Sequence, residues 1–314
     1  MHYRMRPAID RSIAPEQGLP REGQPISYNR ARRRTSPPGL SRLYVTRIAA
    51  PVDHTVSCGL LCDAAFLRVQ LAGLWEARTA DGRVEAGNGA MFFGPHSRRM
   101  PIAMTGSFIS VGMAFRPGAC TALRGPHIAE YVDRIVPTDA IAMPSDQILS
   151  MLPPDGEPED WLQAIEDIIR ARVLELGCDA PDPVTARFEE ICYRDPTMTV
   201  GRAAIECGVE RRKLERVISR DFGMAPKQVL RRARALDMAS CLRGVADREE
   251  ADEIALRYYD ESHLIHEFTE LFGISPRQFV ITPQPILTIA LESRQSRRLE
   301  ALKRLRPGQS RPWE

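Results

Sequence analysis

The chain has 314 residues, 43% of them hydrophobic, and a formal net charge of +2. That length supports two or three domains with separate cores, and so even a charge balance says little about partners. Seven cysteines without repeated spacing argue against a disulfide scaffold or zinc knuckle, and no apolar run is long enough for a leader or a membrane span; a reduced, cytoplasmic, non-membrane protein is expected.

Residues 1–40 carry Pro, Gly, Ser and Arg without an apolar period and are expected to form a flexible basic arm. Its cluster Arg30-Ala31-Arg32-Arg33-Arg34 reads as a phosphate contact or as a solubilising end. From 41 to 140 the pattern changes to short apolar runs. Tyr44–Thr46, Phe66–Leu71, Ala90–Gly94 and Phe108–Phe115 read as strands, with Asp81-Gly82 a hairpin turn and Cys120–Tyr131 a short helix. Their number and close spacing predict a small antiparallel β-barrel, which makes the whole chain α+β and multidomain. A barrel can enclose a ligand or serve as a packed dimerisation module. Trp75, Phe93, His96, Arg98 and Arg116 are the candidate effector-pocket residues, the arginines suiting an acidic effector, although aromatic side chains line cores in any case. His54, Cys58 and Cys62 form a run that suggests metal, but no fourth ligand is near it, and His54, His96 and His127 lack a ligand spacing. No metal and no cofactor are expected.

Residues 141–182 read as a helical linker. Asp160–Leu176 bears Trp161, Leu162, Ile165, Ile168, Ile169 and Val173 as one apolar stripe, ended by Gly177. The stripe must cover the barrel or a partner chain, which makes it a candidate homodimer interface.

Between Pro196 and Arg243 the chain has eleven Lys or Arg against five acids, whereas Gly244–Ser275 has two against nine. Thr199 caps a predicted helix through Ala203 and Ala204, Gly208 permits a sharp turn, and a second helix runs from about Arg211 to Phe222. Leu214, Val217 and Ile218 fall on its inner face; Arg211, Arg212, Glu215 and Arg216 fall outside, as on a helix that reads the major groove. A longer helix, Lys227–Leu242, with Arg231, Arg232 and Arg234 outside, spaces this unit from a second one that begins near Glu249. There Leu264, Phe268 and Phe272 face inward, with Ser262, His263, Ile265 and His266 outside. A final basic extension, 283–314, reads as a helix that caps the second unit, touches phosphates or lies solvated.

In Ala204-Ile205-Glu206-Cys207-Gly208-Val209, Phe222-Gly223-Met224-Ala225-Pro226, Asp260-Glu261-Ser262-His263-Leu264 and Phe272-Gly273-Ile274-Ser275-Pro276 the chain resembles the AraC/XylS family of transcriptional regulators. The resemblance implies an all-α domain with two helix-turn-helix modules over 183–282, in which Arg211, Arg212, Glu215 and Arg216 lie on the first reading helix and Ser262, His263 and His266 on the second. Glu210 stands where the family has a capping Ser or Thr, His266 where Arg is common, and Ile254–Asp260 lacks the family's turn glycine. The run Gly94–Arg98 with Val111–Gly118 resembles the cupin-like sensor domains attached to some such regulators. The expected function is therefore a non-enzymatic, sequence-specific regulator of transcription with double-stranded promoter DNA, RNA polymerase, a small-molecule effector and a second copy as implied partners, acting as activator or by blocking polymerase. The competing readings are a protein-interaction module with a degenerate helix-turn-helix domain and a metal-dependent cupin enzyme.

Overall fold

The computed structural model describes residues 26–31, 40–177, 182–246 and 261–302. Eight strands, β1 (Ile26–Ala31), β2 (Leu40–Ile48), β3 (Thr55–Leu60), β4 (Phe66–Thr79), β5 (Gly82–Ala86), β6 (Gly89–Phe93), β7 (Met100–Phe115) and β8 (Ile135–Pro137), form one antiparallel sheet. The helices are α1 (Ala119–Ala122), α2 (Ser145–Ser150), α3 (Pro158–Leu176), α4 (Pro183–Arg194), α5 (Val200–Glu206), α6 (Arg211–Phe222), α7 (Pro226–Leu242), α8 (Glu261–Phe272), α9 (Pro276–Ile281) and α10 (Pro285–Ala301). Residues 26–31, within the expected arm, thus pair as an edge strand, and between Cys120 and Tyr131 the expected helix is replaced by the end of α1 and a separate 3-10 turn at Ile128–Tyr131.

The expected cupin-like β-barrel is not present. The sheet runs β1-β2-β7-β4-β6-β8, with β3 added on β7 and β5 on β4, and its two ends do not meet. The cause lies in β4 and β7, which are 14 and 16 residues long and take two partners each in series. Along one edge β7 pairs first with β3 and then with β2; along the other edge of the pair, β4 takes β6 and then β5. The exchange falls at register breaks after Gln70 and Ala72. There Gly73, at φ +93°, runs so close to β7 that a Cβ would stand 2.4 Å from the Ser107 carbonyl oxygen. Gly73→Ala is expected to cost about 1–3 kcal/mol, because it combines a left-handed φ with a clash against backbone, and urea denaturation would measure it.

Both faces of the sheet are covered by helices, so neither is left to curl on itself. Leu67, Val69 and Leu71 alternate with Phe66, Arg68 and Gln70 along β4. The first set joins Leu43, Val45, Val111 and Met113 under Trp161, Leu162, Ile165 and Ile169 of α3. Phe66, Phe93, Phe108 and Met104 face the other way, against Ile286 and Ala290 of α10. Most of the apolar stripe of α3 packs on the sheet: Trp161, Leu162, Ile165 and Ile169 are buried, and Ile168 and Val173 are half-buried against the same core. The Trp161 indole N–H donates to the Pro153 carbonyl at 2.7 Å, and the Arg47 guanidinium lies 5.0 Å from its ring centre.

The helical half has two cores that share α7. Phe188, Leu214, Val217, Ile218, Phe222 and Leu230 form the first, and Leu236, Leu264, Phe268, Phe272, Phe279 and Leu291 the second. In the second, the Phe268 and Phe272 rings stack at 4.2 Å with Phe279 edge-on to both. Helix α10 lies between the sheet and this core. Of the three readings of the extension, this placement against the second core is that of a cap; its Arg294 and Arg298 are buried, and Arg294 is bonded to Asp63 and Asp237 at 3.2 and 2.7 Å.

Candidate nucleic-acid interface

The first helix-turn-helix is built as its residues dictate. The Thr199 hydroxyl accepts from the Arg202 amide at 3.3 Å and caps α5; Gly208, at φ +67°, makes the turn; Leu214, Val217, Ile218 and Phe222 seat α6. Glu210, at the α6 N-cap, makes no side-chain cap there. At the opposite end α6 is fastened to the sheet half. Asp221 accepts from Thr121 at 2.8 Å, from Arg220 at 2.7 Å and from Thr185, while its carbonyl accepts from the Gly118 amide at 3.3 Å. Burial alone would raise the Asp221 carboxyl, but these donors hold it below its ordinary range, so it stays charged.

Anchored at its C-terminal end, α6 presents its N-terminal half to solvent. Arg211, Arg212, Lys213 and Arg216 are exposed and Glu215 is half-buried. Arg211 donates to Glu215 at 2.8 Å across one helical turn, while Arg212, Lys213 and Arg216 have no carboxylate partner among the described residues. Guanidiniums free of carboxylates at the N-terminal half of a seated helix can donate to guanine O6 and N7 or to phosphate.

The second module differs. Ser262, His263, Ile265 and His266 are exposed on α8, whose Leu264, Phe268 and Phe272 are buried. Two of its carboxylates are held from below: Glu267 accepts from Arg234 at 2.7 and 2.8 Å and from Arg231 at 3.2 Å, and Glu270 from Arg231 at 2.6 Å. Arg231 and Arg234 therefore neutralise α8 rather than facing outward. Arg232 also departs from its expected outer position; it is buried and donates to the carbonyls of His96 and Asp63, both at 2.8 Å. The segment without the turn glycine, 254–260, lies outside the described residues.

The five candidate effector residues do not converge. Trp75 and Phe93 are core, with ring centres 5.5 Å apart. His96 is fully buried and neutral, its Nδ1 accepting from the Cys62 amide at 3.1 Å, with burial pushing the imidazole down to about 4. Arg98 is exposed, and Arg116 pairs with Glu189 of α4 at 2.6 Å. None of the five lines the cavity of about 80 Å³ that lies between the sheet and α10. Among the described residues no group of three or more His, Cys, Asp or Glu is placed to hold a metal, and no helix is long and apolar enough to cross a membrane.

What the sequence reading missed is the charged network joining the halves, in which Asp63 receives Arg294 and Arg297. One signal was present: Arg232 sits on the apolar stripe of α7, three residues after Val229 and four before Leu236, where a solvated arginine has no place.

No curated protein matches the chain. Fatty-acid-bound ToxT from Vibrio cholerae is similar over 79% of this chain and 97% of its own, at 11% identity and a TM-score of 0.44. The C-terminal domain of AraT, a response regulator from Geobacillus stearothermophilus, is similar over 33% of this chain and 88% of its own, at 22% identity and a TM-score of 0.28. A cupin superfamily protein from Desulfitobacterium hafniense is similar over 37% of this chain and 98% of its own, at 15% identity and a TM-score of 0.24. Residues 203–280, which run from within α5 to within α9, match the family model of a helix-turn-helix domain.

Proposed function

We propose that the chain is a transcription regulator that binds double-stranded DNA through the N-terminal half of α6. The observation that carries this reading is the exposed set Arg212, Lys213 and Arg216, without a carboxylate partner among the described residues, on a helix whose opposite face is locked into a helix-turn-helix core. Arg212 and Arg216 read base edges or clamp phosphates; Arg211 and Glu215, paired with each other, fix the outline of the surface. Helix α8 contributes secondary contacts through Ser262, His263 and His266, with its acidic side neutralised by α7. An effector held by the sheet half would act by favouring one placement of the helical half over another.

The test is the salt dependence of affinity, read by fluorescence anisotropy on duplexes recovered from a genomic fragment pool. Log affinity is expected to fall linearly with log salt between about 50 and 200 mM, since each phosphate neutralised releases counterions. Affinity that stays flat over that range, or duplexes that are never enriched, would instead favour a module for protein contacts.

A further inference from the structure

We infer, resting on the reading of the chain as a duplex-DNA binder, that Ile265 on the outer face of α8 selects thymine by packing on its 5-methyl group in the major groove. The two outer faces can be compared residue by residue. Phe222-Gly223-Met224-Ala225-Pro226 recurs 50 residues later as Phe272-Gly273-Ile274-Ser275-Pro276. Both glycines take a left-handed φ, +75° and +67°, and both prolines open the next helix. Gln228 and Gln278 each accept from the amide of the residue before that proline, at 3.2 and 3.0 Å. These matching turns fix the register of the helices that precede them. Buried Leu214, Ile218 and Phe222 of α6 correspond to buried Leu264, Phe268 and Phe272 of α8, whereas Arg212, Glu215 and Arg216 correspond to Ser262, Ile265 and His266.

Equivalent positions therefore carry different chemistry. Helix α6 offers guanidiniums, which suit guanine edges and phosphates. Helix α8 has no lysine or arginine from Glu261 to Phe272, its Glu267 and Glu270 are taken up by Arg231 and Arg234, and His263 Nε2 lies 3.4 Å from Glu267. One turn past Ile265, the Thr269 hydroxyl is turned back and donates to the Ile265 carbonyl at 2.7 Å. The centre of the face is thus a branched apolar side chain, 39% exposed, held out of the core by the helical period that buries Leu264 and Phe268. In the major groove the thymine methyl is the apolar group on a base edge, and contact with it distinguishes thymine from cytosine and A·T from T·A. An isoleucine in the place of Glu215 fits that methyl and offers nothing to a cytosine amino group.

The test takes the full chain and the duplex it selects from a random pool. Each thymine of that duplex is replaced in turn by uracil, which removes one methyl group and keeps the pairing, and affinity is read by fluorescence anisotropy for the parent, Ile265→Ala and Ile265→Val. In the parent, uracil is expected to weaken binding about fourfold at a position other than the one relaxed by Arg216→Ala, the effect of burying one methyl group. Ile265→Ala should bind the thymine and uracil duplexes alike at that position while keeping its other base preferences, and Ile265→Val should retain part of the difference. A defined site with no uracil-sensitive thymine, or the same sensitivity in Ile265→Ala as in the parent, would overturn the role of Ile265 and leave DNA binding standing. No enriched duplex at all would overturn both.

Discussion

Replacing Arg212 and Arg216 together by Ala is expected to weaken binding to the preferred duplex by about a hundredfold or more, with folding unchanged. Each arginine that donates to a base edge contributes about 1–3 kcal/mol of discrimination, and 1.4 kcal/mol is a factor of ten. Neither side chain has a carboxylate partner among the described residues, so removal strands no buried charge. The inner face of α6, with Leu214, Val217 and Ile218, is untouched, and the thermal unfolding midpoint should stay within a few degrees of the parent. Arg211→Ala is a built-in contrast. Its guanidinium already serves Glu215 at 2.8 Å, so its loss should cost less than either of the others. Anisotropy titrations of the variants at one salt concentration would check the order; parental affinity in the double variant would remove α6 from the interface.

The largest effect on stability is expected at Asp63, which ties α10 to the turn between β3 and β4. Burial alone would raise its carboxyl, but Arg297, Arg294 and Arg232 more than offset this and hold it far below the ordinary carboxylate range. Asp63→Ala leaves Arg297 without its acceptor and Arg294 with one fewer, and should destabilise the chain by about 3–5 kcal/mol, the usual consequence of stranding one partner of a buried pair. The sign of the pH effect follows. A carboxyl whose folded pKa lies below its unfolded value contributes stability that is fully present above the unfolded pKa, about 4, and is lost as pH falls below it. Parental stability should therefore drop on acidification below about pH 4, and the Asp63→Asn chain should lack that part of the drop. Urea midpoints measured from neutral to acidic pH in both chains would show it; identical slopes would contradict the network.

The local features of the α6 region were legible because they are written in contiguous residues. A helix from Arg211 to Phe222 with Leu214, Val217 and Ile218 inward needs only the 3.6-residue period and the Gly208 turn, and both are found. Strands at Phe66–Leu71 and Phe108–Phe115 were visible as apolar runs, and they lie inside β4 and β7. The open sheet was not legible. Closure depends on whether an apolar face meets another strand or a helix, and α3 and α10, which cover the two faces here, come from distant parts of the chain. The same distance hid the buried arginines of α10. An arginine-rich helix is ordinarily solvated, and Asp63 and Asp237, 231 and 57 residues before Arg294, reverse that expectation. The five candidate effector residues do not form one group for a related reason: Trp75 and Phe93, which do meet, look identical in sequence whether they line a ligand or one another.

The central claim, that the outer face of α6 lies in a groove of duplex DNA, is tested most directly by selecting binding sites from a random duplex pool with the parent chain and with Arg216→Ala. If the face reads bases, the parent yields a defined site and the variant yields the same site with preference relaxed at one position. An unaltered site from the variant, or no enriched site from the parent, would contradict it.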